Sequence, residues 1–297
     1  MKKLGRLLTA MVTPFDEKGN VDYAQAKKLA RALIDSGSDG VVVVGTTGES
    51  PTTLREEEDR LFVEVKEAVG NRGAVIAGTG SNSTAEAISA TKSAEKLGVD
   101  ACLLVVPYYN KPSQEGLYQH FKAIAASTNL PCILYNVPAR TVTDMSADTV
   151  IRLSQIDNII GLKEANSKLD HVSKVISGTK KDFLVYSGND SDTLPMLAIG
   201  GYGVISVASH LVGKQIQTMI NLAVEGRMAQ AAEIHRHLLP LVDAMFIVAN
   251  PCPVKYALNQ IGFRVGPPRL PLLPPDEKSA AHIRAMLEKY RIDLPLP

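Results

Sequence analysis

The 297-residue sequence contains no tryptophan and few aromatic residues, 5% in all. Its three cysteines have neither the spacing of a zinc site nor that of a disulfide framework. No run of 18 apolar residues occurs, which argues against a membrane-spanning helix. The 32 lysines and arginines balance 31 aspartates and glutamates and form no basic block, which argues against nucleic-acid binding. We therefore expect a globular protein without membrane or nucleic-acid partners.

The start of the chain resembles a signal peptide only in part. Two lysines precede an apolar run that Arg6 interrupts and Pro14 closes, without a small-residue cleavage site. We read this segment as mature protein. Because the three cysteine thiols are unpaired, we expect a reducing, cytoplasmic compartment.

Eight short apolar runs, rich in β-branched residues, predict strands. They lie at 7–12, 40–44, 74–78, 101–106, 132–135, 159–163, 183–187 and 204–207. Each run is continuous rather than alternating, as expected of strands buried on both faces. Amphipathic stretches fill the gaps, with an N-cap signal at Asp22 and a capping box at Thr53. The series predicts a parallel (β/α)8 barrel, with a doubly wound open sheet as the alternative.

After the eighth run the pattern becomes helical. We predict helices at 216–224, 228–248, 254–260 and 277–289, interrupted by prolines that include Pro251 and Pro253. The sequence thus predicts a catalytic barrel over 1–213 and a C-terminal helical appendage over 214–297.

In such a barrel the reactive groups belong at the carboxyl ends of strands. Lys163 ends the sixth run and either extends outward to solvent or points inward, where burial lowers its pKa and frees a nucleophilic amine. Tyr135, at the neighbouring strand end, is either a core residue or a proton carrier for that amine. Arg140 is either a solvated loop charge or a carboxylate ligand.

Polar groups also follow the second and fourth runs. Thr46 and Thr47 stand in a glycine-flanked turn whose backbone N–H groups are suited to an anion, although a plain strand-to-helix turn is the simpler interpretation. Tyr108 and Tyr109 are adjacent aromatics on a polar loop, typical of an interface or a ligand lid.

Metal and nucleotide chemistry have little support in the sequence. The six histidines are scattered, and neither a dinucleotide-binding fingerprint nor a Walker lysine motif occurs. A buried lysine without metal ligands fits imine chemistry, in which the amine condenses with a keto acid. We expect no metal and no cofactor, only a covalent imine at Lys163.

Taken together, these motifs resemble the dihydrodipicolinate synthase family of pyruvate-dependent Schiff-base aldolases and lyases. The resemblance is carried in order by residues 13–15, 45–50, 107–109, 135–141, 161–165, 188–190, 203–207 and 250–255. It implies condensation of pyruvate with L-aspartate-4-semialdehyde on the route to diaminopimelate and lysine. It also implies a homo-oligomer, commonly a tetramer built as a dimer of dimers.

The resemblance assigns roles to the strand-end residues. Lys163 would form the pyruvate imine, and Thr47 would link Tyr135 to Tyr109 in a proton relay, with Tyr109 donated by the neighbouring subunit. The remaining substrate ligands would be Thr46 and Thr47 for the pyruvate carboxylate, Gly188 and the Ile205 carbonyl for pyruvate, and Arg140 for the semialdehyde carboxylate.

Three other interpretations stay open. N-acetylneuraminate lyase and the 2-keto-3-deoxy sugar acid aldolases share the lysine, the tyrosine and the turn, but Arg140 favours the synthase. A non-catalytic keto-acid sensor would be expected to lack Lys163 or Tyr135.

In lysine-inhibited members of the family the effector binds in a crevice at the dimer interface. The corresponding residues here, which we call the effector crevice, are Ser50, Pro51, Leu54, Arg55, Glu58, Asn82, Glu86 and Tyr108. Asn82 and Glu86 keep the groups for the effector's carboxylate and α-amine, whereas Arg55 and Glu58 replace histidines of some inhibited members. We expect partial, weak inhibition by L-lysine; a solvated helix face is the alternative.

Overall fold

A computed structural model describes residues 4–296, in which eight parallel strands close into a barrel. The strands are β1 (Leu7–Ala10), β2 (Gly40–Val43), β3 (Ala74–Gly78), β4 (Ala101–Val105), β5 (Cys132–Asn136), β6 (Ile159–Glu164), β7 (Leu184–Ser187) and β8 (Gly203–Ser206). Each strand pairs with the next, and β8 closes on β1 with Ile205 opposite Leu8. The predicted barrel is confirmed, and the open sheet is wrong. Lys2 and Lys3, which figure in the signal-peptide comparison, lie outside the described residues.

Helices connect the strands on the outside of the barrel. They are α1 (Tyr23–Asp35), α2 (Arg55–Val69), α3 (Thr84–Lys96), α4 (Gln114–Ala125), α5 (Pro138–Thr141), α6 (Ala147–Leu153), α7 (Leu169–Gly178) and α8 (Thr193–Ala198). Asp22 caps α1 as predicted. The capping box predicted at Thr53 is wrong: the Leu54 N–H donates to Glu57 at 2.9 Å, while the Thr53 hydroxyl donates to Glu58 at 2.9 Å.

Four helices follow β8: α9 (Ser209–Val224), α10 (Met228–Ala244), α11 (Cys252–Gln260) and α12 (Glu277–Leu287). Helix α9 is kinked at Val212, with φ −127° and ψ 41°, and it crosses the boundary expected after residue 213. Helix α11 includes Pro253, which is tolerated because first-turn N–H groups have no partner within a helix. The division into two parts stays a prediction. Within residues 4–296, no helix combines the length and apolarity needed to cross a membrane.

Two apolar layers hold the barrel together. One fills its interior and includes Leu8, Val42 and Ile133, while the other lies between strands and helices and includes Leu7 and Val41. Neighbouring strand residues thus face opposite layers, which explains why every run is apolar throughout. At the carboxyl end of each strand, a polar side chain that points inward therefore lies in the barrel mouth.

Candidate active site

Tyr135 and Lys163 lie side by side at the carboxyl ends of β5 and β6, where they are partners in the parallel register. Each is 6% exposed, and the Lys163 Nζ atom lies 4.3 Å from the centroid of the Tyr135 ring. Tyr135 belongs to the apolar layer inside the barrel. The two groups predicted from strand ends therefore meet in the barrel mouth.

Burial controls the protonation of Lys163. Desolvation lowers the pKa of its amine to about 8; the Arg140 charge lowers it further, and the Asp190 carboxylate acts in the opposite direction. Lys163 Nζ forms no hydrogen bond or ion pair with any residue in the described range 4–296. Relative to an ordinary lysine, the neutral amine at neutral pH is more abundant by about two orders of magnitude.

A buried polar network lies at the next register position, behind the reactive pair. The Asn136 side-chain amide donates to Glu164 at 3.0 Å and to Asp144 at 2.9 Å. His171 Nε2 lies 3.0 Å from the same Glu164 carboxylate. The network joins β5, β6 and α7 one register position beyond the reactive pair. The residues of this network are not among the predicted site residues, because an apolar run does not show which side chains pair across strands.

The residues after β2 form a tight turn, which is a short 3-10 helix over Thr46–Gly48. Thr47 is 3% exposed, and its hydroxyl accepts a hydrogen bond from the Asn250 side chain at 2.9 Å. The backbone N–H groups of Thr46 and Thr47 have no acceptor among residues 4–296, as is usual at the start of a helical turn. They are free to bind an anion.

The predicted relay through Thr47 stays a prediction, although the Thr47 hydroxyl has another partner in the structure. Thr46 is the threonine whose side chain acts on the pKa of Tyr135, whereas the Thr47 hydroxyl accepts a hydrogen bond from Asn250. Burial raises the pKa of Tyr135 to about 12, and Arg140 and Thr46 partly oppose this rise. Tyr135 is therefore a neutral phenol at physiological pH, able to donate its proton and take it back.

Arg140 follows Tyr135 on the short helix α5. Its guanidinium donates to the backbone carbonyl of Asn250 at 3.3 Å. Arg140 and Thr46 line one cavity of about 560 Å³. Asn250, which precedes α11, thus contacts both the turn and Arg140. Asn250 is not among the predicted site residues, although it lies in the matched segment 250–255.

Tyr109 is 89% exposed and has a φ of +74°, which is unusual for a residue other than glycine. Its hydroxyl has no hydrogen-bond partner in the described part of this chain. Within one subunit, Tyr109 therefore does not complete a relay with Tyr135. Its donation to a neighbouring subunit stays a prediction.

Gly188 and Ile205 lie at the ends of β7 and β8. A Cβ on Gly188 would lie 2.7 Å from the Ala165 Cβ, so only glycine fits. Ile205 is 1% exposed, in register with Leu8. Close by, buried Asp190 accepts hydrogen bonds from the Ser206 hydroxyl and, at 2.9 Å, from the Val207 N–H. Asp190 was not among the predicted site residues, but its charge acts on Lys163.

The effector crevice opens into the cavity that reaches Thr46 and Arg140. Six of its eight predicted residues line that cavity: Ser50, Pro51, Arg55, Glu58, Glu86 and Tyr108. The Arg55 guanidinium contacts the Glu58 carboxylate at 2.8 Å, and burial raises the pKa of Glu58 although Arg55 opposes the rise. The other two predicted residues do not line that cavity. Leu54 is 64% exposed, and the Asn82 side-chain amide donates to the Tyr108 carbonyl at 3.1 Å.

Comparison with known proteins agrees with this geometry. The chain is 68% identical over 296 residues to 4-hydroxy-tetrahydrodipicolinate synthase of Dehalococcoides mccartyi, covering 100% of both. It superposes on a dihydrodipicolinate synthase of Bacillus anthracis with a TM-score of 0.95 at 49% identity, covering 98% of this chain and 99% of that one. The lysine-bound enzyme of Cyanidioschyzon merolae gives 0.95 at 48% identity, covering 96% and 97%. The sequence model of the dihydrodipicolinate synthetase family matches residues 3–290. The chain belongs to the dihydrodipicolinate synthetase family.

Proposed function

We propose that this enzyme is a 4-hydroxy-tetrahydrodipicolinate synthase that joins pyruvate to L-aspartate-4-semialdehyde through an imine at Lys163. The observation that carries the proposal is the buried, unpaired amine of Lys163 beside the Tyr135 phenol. Relatives of the same family, at up to 68% identity, bear that name. The reaction is the committing step toward diaminopimelate and lysine.

The chemistry begins at the neutral amine. Lys163 adds to the keto carbon of pyruvate, and loss of one water gives a protonated imine. Loss of a methyl proton gives an enamine, whose carbon forms the new bond to the aldehyde carbon of the semialdehyde. The amine of the semialdehyde then displaces the lysine at the former keto carbon and closes the ring. The Lys163 amine is thereby released, so the cycle needs no cofactor.

The pyruvate carboxylate binds the Thr46–Gly48 turn. The free backbone N–H groups of Thr46 and Thr47 are its donors, since an anion is favoured where helical N–H groups lack partners. Gly188 and the Ile205 carbonyl line the other side of the pyruvate. Arg140 binds the semialdehyde carboxylate, with the guanidinium oriented by the Asn250 carbonyl.

Protons travel along Tyr135, Thr46 and the Tyr109 of a neighbouring subunit. The exposed side chain of Tyr109 supports this arrangement, because its hydroxyl has no hydrogen-bond partner among residues 4–296 of its own chain. A dimer is then the smallest complete unit, and a tetramer formed from two such dimers is the proposed assembly. Free, buried thiols at all three cysteines support a cytoplasmic location.

The effector crevice binds L-lysine weakly and reduces the rate in part. Support comes from the cavity shared with Thr46 and from the lysine-bound relative of Cyanidioschyzon merolae. The Glu86 carboxylate, which accepts a hydrogen bond from Ser81 at 2.8 Å, is the ligand for the α-amine. Arg55 remains close enough to Glu58 to change how the crevice attracts the ammonium groups.

A substrate comparison tests the proposed reaction. Purified enzyme is incubated with pyruvate plus L-aspartate-4-semialdehyde, and separately with N-acetylneuraminate or 2-keto-3-deoxygluconate. We expect product only from the first mixture. Efficient cleavage of either sugar acid would assign the chain to one of the sister activities, and no turnover of any substrate would favour the keto-acid sensor.

A further inference from the structure

Glu49 occupies an unusual position directly after the Thr46–Gly48 turn. Its backbone is left-handed, with φ 59° and ψ 37°, and the residue is 2% exposed. Left-handed backbone is disfavoured for residues other than glycine, and a buried carboxylate requires partners. Contacts from the surrounding residues must therefore fix the position of Glu49. The Thr46–Gly48 turn lies immediately before Glu49 in the backbone, so the position of one affects the other.

The main partner of Glu49 is Lys255 on α11. Lys255 Nζ contacts one carboxylate oxygen of Glu49 at 2.7 Å, and both side chains are at most 1% exposed. The other Glu49 oxygen accepts the backbone N–H of Arg269 at 2.8 Å. The carboxylate is thus held from two segments, both more than 200 positions away in the sequence.

A second route leads from Lys255 to the same turn. Lys255 Nζ also donates to the Thr13 carbonyl at 3.0 Å, and the Thr13 hydroxyl donates to the Gly48 carbonyl at 2.6 Å. Asn250, just before α11, reaches the Thr47 hydroxyl at 2.9 Å. One short stretch of the C-terminal region therefore contacts positions 47 and 49 directly and position 48 through Thr13.

We propose that the buried Glu49–Lys255 pair is a positioning device that sets the Thr46–Gly48 turn for the pyruvate carboxylate. Neither side chain touches the reacting atoms, so their effect acts through the turn. Loosening the pair moves the donor N–H groups and weakens pyruvate binding, while Arg140 keeps its contact with the Asn250 carbonyl, which neither charge of the pair touches. The proposal rests on the proposed function, since it takes pyruvate as the ligand of the turn.

The test compares Glu49→Gln, Lys255→Met and the double variant. Each single variant is expected to raise the half-saturating pyruvate concentration about tenfold or more, because small displacements of binding groups are costly. The half-saturating semialdehyde concentration should change less than about threefold. At saturating pyruvate, borohydride should still label Lys163. A matched control is Lys66→Met, which breaks another 2.7 Å ion pair, with Asp100, at the far end of α2.

The double variant separates positioning from stability. Removing one partner leaves a buried unpaired charge, whereas removing both charges restores much of the stability. We expect the melting temperature of the double variant to exceed that of Lys255→Met, while its pyruvate requirement stays raised. If Lys255→Met fails to fold, Glu49→Gln and the double variant carry the test.

Three results would overturn the positioning role: wild-type pyruvate dependence in the double variant, an equal rise for both substrates, or the same change in Lys66→Met. Failure of the underlying function looks different, because wild-type enzyme would then either not be labelled by pyruvate and borohydride or would cleave a sugar acid and not use the semialdehyde.

Discussion

Lys163 and Lys255 are both buried lysines whose pKa is lowered by desolvation to about 8, yet their amines have opposite surroundings. Lys255 donates to Glu49 and to the carbonyls of Thr13 and Pro267, which uses all three of its N–H groups. The Lys163 amine lies over the Tyr135 ring and has no hydrogen-bond or ion-pair partner among residues 4–296. Burial alone therefore does not make a lysine nucleophilic; it must also lack partners.

Reductive trapping should distinguish the two lysines. With pyruvate and borohydride we expect one reduced pyruvate on Lys163 and none on Lys255. Of these two buried lysines, only Lys163 has an amine without hydrogen-bond partners that is free to attack. Intact mass and peptide mapping measure both. Lys163→Ala should abolish labelling and turnover together. A modified peptide containing Lys255, or labelling that persists in Lys163→Ala, would contradict the imine assignment.

The pH dependence of kcat/KM for pyruvate should report the Lys163 amine. The neutral form reacts, so the logarithm of kcat/KM should rise by one per pH unit and level off near the pKa of about 8. Asp190 raises that pKa, and Asp190→Asn removes a charge that stabilises the ammonium. The plateau should therefore begin at lower pH in Asp190→Asn. A shift to higher pH, or none, would show that Asp190 does not act on the amine.

Substitutions in the turn should separate its two threonines. Tyr135→Phe and Thr46→Val should lower kcat about 10² to 10⁴-fold, the usual contribution of a positioned proton-transfer group. Thr47→Val should instead raise the KM for pyruvate, because its hydroxyl ties the turn to Asn250. Steady-state kinetics measure both effects: a larger loss of kcat in Thr47→Val than in Thr46→Val would place the relay on Thr47.

Arg140→Ala should affect the second substrate. A charge-assisted contact typically contributes about 1.5 to 3 kcal/mol, so the KM for L-aspartate-4-semialdehyde should rise about 10 to 100-fold. The KM for pyruvate should change little. Arg152→Ala, which removes an exposed pair with Glu115, is the control. A parallel rise for both substrates would indicate that Arg140 supports the site as a whole.

L-lysine should bind the effector crevice and lower the rate in part. Glu86→Gln should weaken that binding about tenfold, since the α-amine loses a charged partner, while activity without lysine stays unchanged. Calorimetry and steady-state assays measure the two effects, with Glu277→Gln on α12 as the control. An unchanged rate with no heat of binding would mean that the crevice is not an effector site.

The barrel was predictable because its strands are buried on both faces and therefore appear as continuous apolar runs. Local signals predicted the ends of the helices less well. Pro253 was expected to separate two helices, but it lies in the first turn of α11, where a proline is tolerated. Thr46 and Thr47 are adjacent in sequence, and their orientation depends on Asn250, a partner 203 positions away from Thr47. Such a contact leaves no local pattern, so the sequence identified the turn without showing which hydroxyl faces Tyr135.

The exposed position of Tyr109 has a consequence for how the enzyme responds to its own concentration. If this side chain completes the proton relay of the neighbouring subunit, an isolated subunit has its reactive Lys163 but an incomplete relay. Specific activity would then fall on dilution as dimers dissociate, by simple mass action. Reduced expression of the gene would lower both the number of active sites and the fraction of them that is complete.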